Sequence, residues 1–108
     1  MNNWPVGSWS TVRKVKMKIY IAGKITGNPD YKSTFQEVQE LLEDENKIIL
    51  NPAILPEGMS TADYMRICFA MIDCADAVVF IPGWQNSKGA NLEMEYCKYT
   101  GKLVICMN

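Results

Sequence analysis

Histidine is absent from the chain, no two cysteines stand in a Cys-x-x-Cys pair, and no apolar run approaches the ~20 residues that a membrane-spanning helix needs. The first absence removes the commonest metal ligand and the commonest general base. Cys68, Cys74, Cys97 and Cys106 are the only cysteines, and three of them fall in apolar periodic segments. They read as reduced core residues of a cytoplasmic protein, not as disulfides or a zinc site. The N-terminus also lacks the apolar stretch of a secretory signal. Neither charge sign dominates: 11 basic and 12 acidic residues leave a net charge of −1. A nucleic-acid polymer held by phosphate neutralisation is therefore not expected as a partner. What remains is an ordinary soluble composition, 48% hydrophobic and 21% charged over 108 residues, enough for one domain.

Residues 1–16 stand apart, with two tryptophans, Pro5, Gly7 and no usable periodicity. They form either a mobile leader or an arm whose Trp4 and Trp9 dock on a neighbouring subunit. The domain proper is expected over residues 17–108, where strand and helix signals alternate. Ile19-Tyr20-Ile21-Ala22 is a short apolar run stopped by Gly23. Phe35, Val38, Leu41 and Leu42 then recur at helical spacing, with Glu37, Glu40 and Glu43 opposite. Ile48-Ile49-Leu50 is a second buried strand, closed by Asn51-Pro52. Ser60 with Asp63 has the form of a capping box, opening a helix striped by Tyr64, Ile67, Cys68, Met71 and Ile72. Residues 77–81 make a third strand, Asn91 to Thr100 a third helix ended by Gly101, and residues 103–106 the last strand. Four apolar strands separated by helices predict an α/β fold, a small flavodoxin-like, Rossmann-like three-layer sandwich. Right-handed crossovers give its four-stranded parallel sheet the order 2-1-3-4. Ligands of such sheets bind at the carboxyl ends of the strands, beside the switch point between strands one and three.

The two loops at that point are the most unusual stretches in the chain. In Gly23-Lys24-Ile25-Thr26-Gly27, the glycines permit positive φ and close approach of an anion, Lys24 supplies charge and Thr26 a donor. Ser87-Lys88-Gly89-Ala90 leads into the third helix, whose start is a natural anion site and whose field is expected to keep the nearby Glu93 ionised. Glu95 lies off the sheet-facing stripe and reads as solvated. Asp76 precedes the third strand, at the far end of the sheet, and reads as structural. Trp84 is either a loop anchor or a stacking face for a base.

Tyr20-Ile21-Ala22-Gly23-Lys24-Ile25-Thr26-Gly27, the Asn51-Pro52 step and Ser87-x-Gly89-x-x-x-Glu93 with Gly101-Lys102 together resemble the nucleoside 2-deoxyribosyltransferase superfamily. The similarity runs from about Lys18 to Cys106. It is greatest toward the small branches: the 2′-deoxynucleoside 5′-phosphate N-hydrolases and short bacterial and phage relatives. The resemblance implies cleavage or transfer of an N-glycosidic bond, with Glu93 as the nucleophile at C1′ and Tyr20 orienting it. It implies a 5′-phosphate held by Lys24, Thr26, Ser87 and Gly89; Gly23 and Trp84 are expected at the substrate from their places in the two loops. The family aspartate that contacts the sugar and assists the departing base falls near Cys68, which cannot do that work. Asp63, one turn earlier, is the candidate substitute. Without one, the alternative is a catalytically weak module that binds or sequesters a nucleotide or an ADP-ribose-type signal. The expected partner is a small nucleoside or nucleotide, with no cofactor, metal or membrane. A homodimer or higher homo-oligomer is expected, from the apolar stripes Met65, Phe69, Ile72 and Leu92, Tyr96, Tyr99.

Overall fold

The structure is a computed structural model and describes residues 16–108. The leader expectation falls on residues almost wholly outside that range. Four strands, β1 (Met17–Ala22), β2 (Lys47–Leu50), β3 (Ala77–Phe80) and β4 (Leu103–Cys106), alternate with three helices. These are α1 (Tyr31–Leu42), α2 (Thr61–Cys74) and α3 (Lys88–Thr100). All strand pairs are parallel and the sheet order is 2-1-3-4. The central strands are the buried ones. Every residue of β3 is buried, as are the last four of β1, whereas β4 at the edge is half open.

Right-handed crossovers place α1 on one face and α2 with α3 on the other. Period-two alternation sorts the strand side chains accordingly. Ile21 and Ile81 pack on Phe35 and Val38 of α1, while Tyr20, Ala22, Val78 and Phe80 pack on Cys68, Ile72, Met94 and Cys97. Leu41 was expected in the α1 stripe but is exposed. Tyr31, Phe35, Val38 and Leu42 define the packed stripe, and Leu41 stands about 100° around the helix from Leu42. Ile72 likewise belongs to the core, and Phe69 stacks on Tyr96 at 4.4 Å between α2 and α3. Much of the apolar surface expected at an oligomer interface is therefore spent within the subunit, although Leu92 and Tyr99 stay exposed.

Caps set the helix starts. Ser60 Oγ accepts from the Asp63 amide, but only half of the expected capping box forms, because the Asp63 carboxylate turns to Arg66. Ser87 Oγ accepts from the Ala90 amide, so α3 begins at Lys88, three residues earlier than the periodicity suggests. Asn51 is buried and caps the short turn after β2: its Oδ1 accepts from the Ala53 amide and its Nδ2 donates to Gln39. Asp76 closes the amino end of the sheet by accepting from the Lys18 amide at 2.8 Å, which holds its carboxyl below the usual range.

The need for glycine differs between the ends of the first loop. Gly27 adopts φ +82°, the left-handed region. Gly23 has no positive φ: a Cβ there would collide with Cγ1 and Cδ1 of the buried Ile81 and crowd Phe35 Cζ at 3.3 Å. Gly23→Ala should therefore cost about 1–3 kcal/mol through overpacking. Urea unfolding checks this, and an unchanged midpoint would show that Ile81 yields freely.

Candidate active site

The carboxyl ends of β1 and β3, with the helix starts that follow, enclose a cleft of about 690 Å³. Its lining is polar and cationic at Lys24, Thr26, Asn86, Ser87, Lys88 and Gly89, from the loops after β1 and β3 and the start of α3. It is apolar at Ile25, Pro52, Leu55, Met59 and Met65, with Tyr31 and Tyr64. Tyr20, Cys68 and Glu93 also line the cleft, and all three are buried.

Glu93 lies in the second turn of α3, on the flank of its sheet-facing stripe, and is 5% exposed. The Tyr20 hydroxyl, at the centre of β1, donates to Glu93 Oε2 at 2.6 Å. The Cys68 thiol, from α2, lies within hydrogen-bonding reach of both. Three elements thus converge on one carboxyl group. Burial raises its pKa to about 7, against the opposing hydrogen bonds from Tyr20 and Cys68. The expectation that the helix start keeps Glu93 ionised is corrected here: desolvation outweighs a dipole that fades beyond the first turn. The same burial pushes Cys68 up to about 11 and Tyr20 well above its ordinary value, so both remain protonated donors at neutral pH.

Of the residues singled out from sequence, Tyr20, Gly23, Lys24, Thr26, Ser87, Gly89 and Glu93 share the cleft. Asp63 does not. It stands outside with its carboxylate on Arg66 Nη1 at 3.0 Å, because the two side chains are helix neighbours at i and i+3. Trp84 is also absent from the cleft lining, since it packs edge-on against Phe80 with ring centroids 5.1 Å apart. It is the loop anchor of the two readings. Glu95 is exposed and pairs loosely with Lys98 at 3.9 Å.

Several lining residues escape a reading by periodicity. Lys88 reads as a loop residue by periodicity, although its place directly after the Ser87 cap puts its amide at the helix start. Tyr64 reads as core, being one turn before Cys68 on the same stripe. Its hydroxyl instead donates to Pro56 O at 2.6 Å and accepts from the Met59 amide at 3.2 Å, pinning the segment that carries Leu55 and Met59 along the cleft. No cluster of three or more metal-ligating side chains exists among the described residues, and none of their helices is long and apolar enough to cross a membrane.

A family model described as a domain of unknown function, DUF4406, matches residues 17–106, and the chain belongs to that family. No curated protein matches it. Among solved structures, the fold is similar to a protein titled 2-desoxiribosyltransferase from Leishmania mexicana, with a TM-score of 0.68 and 23% identity. The match covers 84% of this chain and 63% of that one, so this chain spans less than two thirds of its neighbour's length.

The raised pKa of Glu93 has a consequence for stability. Between pH 4.5, its ordinary value, and about 7, the folded protein keeps a proton that the unfolded chain has lost. Stability contributed by the neutral form is thus complete below about 4.5 and declines as pH rises through about 7. Glu93→Gln removes this titration, so the variant should gain on the wild type between pH 5 and 8, by about 1–3 kcal/mol. Thermal unfolding across that range checks it; a constant difference would mean that Glu93 titrates normally.

Proposed function

We propose that the cleft cleaves the N-glycosidic bond of a nucleoside or its 5′-monophosphate, by hydrolysis or by transfer to a second base, with Glu93 as the nucleophile. The observation that carries this reading is the buried Glu93 carboxyl fixed by Tyr20 at 2.6 Å in a cleft lined by both cationic and apolar residues. The fold it shares with the deoxyribosyltransferase neighbour supports the same chemistry. In this reading Tyr20 holds Oε2 and leaves Oε1 to attack C1′, so the carboxylate needs no reorientation at the moment of reaction. Only the ionised carboxylate attacks, so turnover should rise with pH through about 7.

The polar lining suits a 5′-phosphate. Ser87 engages the Ala90 and Asn91 amides, which leaves the Lys88 and Gly89 amides at the open start of α3 beside two lysines. A planar base would lie against the apolar lining residues, such as Leu55, Met59 and Met65. One observation favours a second reading, in which the cleft only binds or sequesters a nucleotide: with Asp63 paired to Arg66, Glu93 is the sole carboxyl among the lining residues.

The test is incubation with nucleosides and their 5′-monophosphates, following free base by chromatography. Turnover should vanish in Glu93→Gln and persist in Glu95→Gln. Lys24→Ala should reduce the preference for monophosphates about 10- to 100-fold, the worth of a charge-assisted contact of about 1.5–3 kcal/mol. Turnover that survives Glu93→Gln contradicts the glutamate nucleophile; binding without turnover selects the sequestering reading. We further propose a homodimer formed through the exposed Leu92 and Tyr99 flank of α3. Light scattering at micromolar concentration should return twice the chain mass, and the chain mass itself would exclude it.

A further inference from the structure

Resting on that reading of Glu93, we propose that the preferred substrates are N-glycosides whose leaving group is already cationic, such as N-ribosylpyridinium or N7-alkylpurine mononucleotides. The inference starts from what departure of a base requires. When Glu93 attacks C1′ and the C1′–N bond breaks, the bonding pair remains on the ring nitrogen. A neutral nucleobase thereby becomes an anion and needs a proton as it leaves, which enzymes supply from a general acid worth about 10²–10⁴-fold in rate.

The cleft is poorly equipped to give one. Among the described residues that line it, the only carboxyl is Glu93, which is occupied as the nucleophile. The Tyr20 hydroxyl is committed to Glu93 and the Tyr64 hydroxyl to Pro56 O. Beside Glu93 stands the Cys68 thiol, which burial makes a still weaker acid. Lys24, from the loop after β1, and Lys88, at the start of α3, are the residues that the proposed function assigns to the phosphate. Residues 1–15 contain no Asp or Glu, so they have no carboxylic acid to add.

A cationic ring needs no acid. The same electron pair neutralises its nitrogen, and it departs as a neutral molecule with no proton transferred. Water then attacks C1′ of the glycosyl ester, the bond from C1′ to the Glu93 oxygen breaks with its pair returning to the carboxylate, and the surplus water proton passes through that carboxylate to solvent. The cleft also suits such a ring before reaction. Tyr31, Tyr64, Met59 and Met65 offer aromatic and thioether surface to it. A positive ring beside the buried carboxyl favours the ionised, nucleophilic form of Glu93.

Two matched pairs test this: nicotinamide mononucleotide against adenosine 5′-monophosphate, and 7-methylguanosine 5′-monophosphate against guanosine 5′-monophosphate. Within the second pair the sugar, phosphate and ring system are shared, and only the methyl group and positive charge differ. Released base is measured by chromatography for the wild type and Glu93→Gln. The expected result is a kcat/KM at least about 100-fold higher for the cationic member of each pair, with all release lost in Glu93→Gln. Equal or faster cleavage of the neutral members overturns the inference and leaves Glu93-dependent glycosidase chemistry standing. No release from any of the four, in either the ribose or the 2-deoxyribose series, overturns both.

Discussion

A single buried carboxyl group organises the functional end of this molecule. Glu93 sits where three elements meet, with Tyr20 of β1 donating to it and Cys68 of α2 alongside.

 The charged Lys88, Glu95 and Lys98 are all near Glu93 along the chain, whereas its hydrogen-bond partner Tyr20 lies 73 residues away. Leaving such a carboxyl without donors would be costly, and ionising it there remains unfavourable even with them. Its position therefore depends on the whole sheet: Tyr20 must be buried in the central strand, and α3 must start at the Ser87 cap for Glu93 to face it.

The fold supplies that arrangement through topology. Pairing of Tyr20 with Val78 sets β1 beside β3, and crossovers leaving these strands in opposite directions open a cleft at their carboxyl ends. Gly23 lets β1 end tightly under Ile81, and Tyr64 holds the segment from Leu55 to Met59 along the cleft. The result is a cleft whose lining combines cationic residues, apolar side chains and the Glu93 carboxyl.

The strands, helices and sheet order were legible in the sequence, because continuous apolar runs separated by amphipathic stretches admit few parallel topologies. The loops at the switch point were legible from their composition. What depends on burial was not. Nothing in the sequence reveals that Glu93 is desolvated enough to reach a pKa of about 7, or that Gly23 answers to packing and not to φ. Side-chain choices among near neighbours were equally hidden: Asp63 had Arg66 within one helical turn, and Trp84 had Phe80 beneath it. Periodicity alone leaves Lys88 in the loop by starting the helix three residues late, whereas the Ser87 cap sets that start at Lys88.

The most direct test of Glu93 as nucleophile is capture of the glycosyl ester. A 2′-fluoro nucleoside 5′-monophosphate, which slows breakdown of such an ester, is incubated with the protein, and the intact mass and proteolytic peptides are measured. A covalent nucleophile predicts a mass increase equal to the fluorinated sugar phosphate, mapped to Glu93 and absent from Glu93→Gln. Release of base from that substrate with the Glu93 peptide unmodified throughout would contradict it.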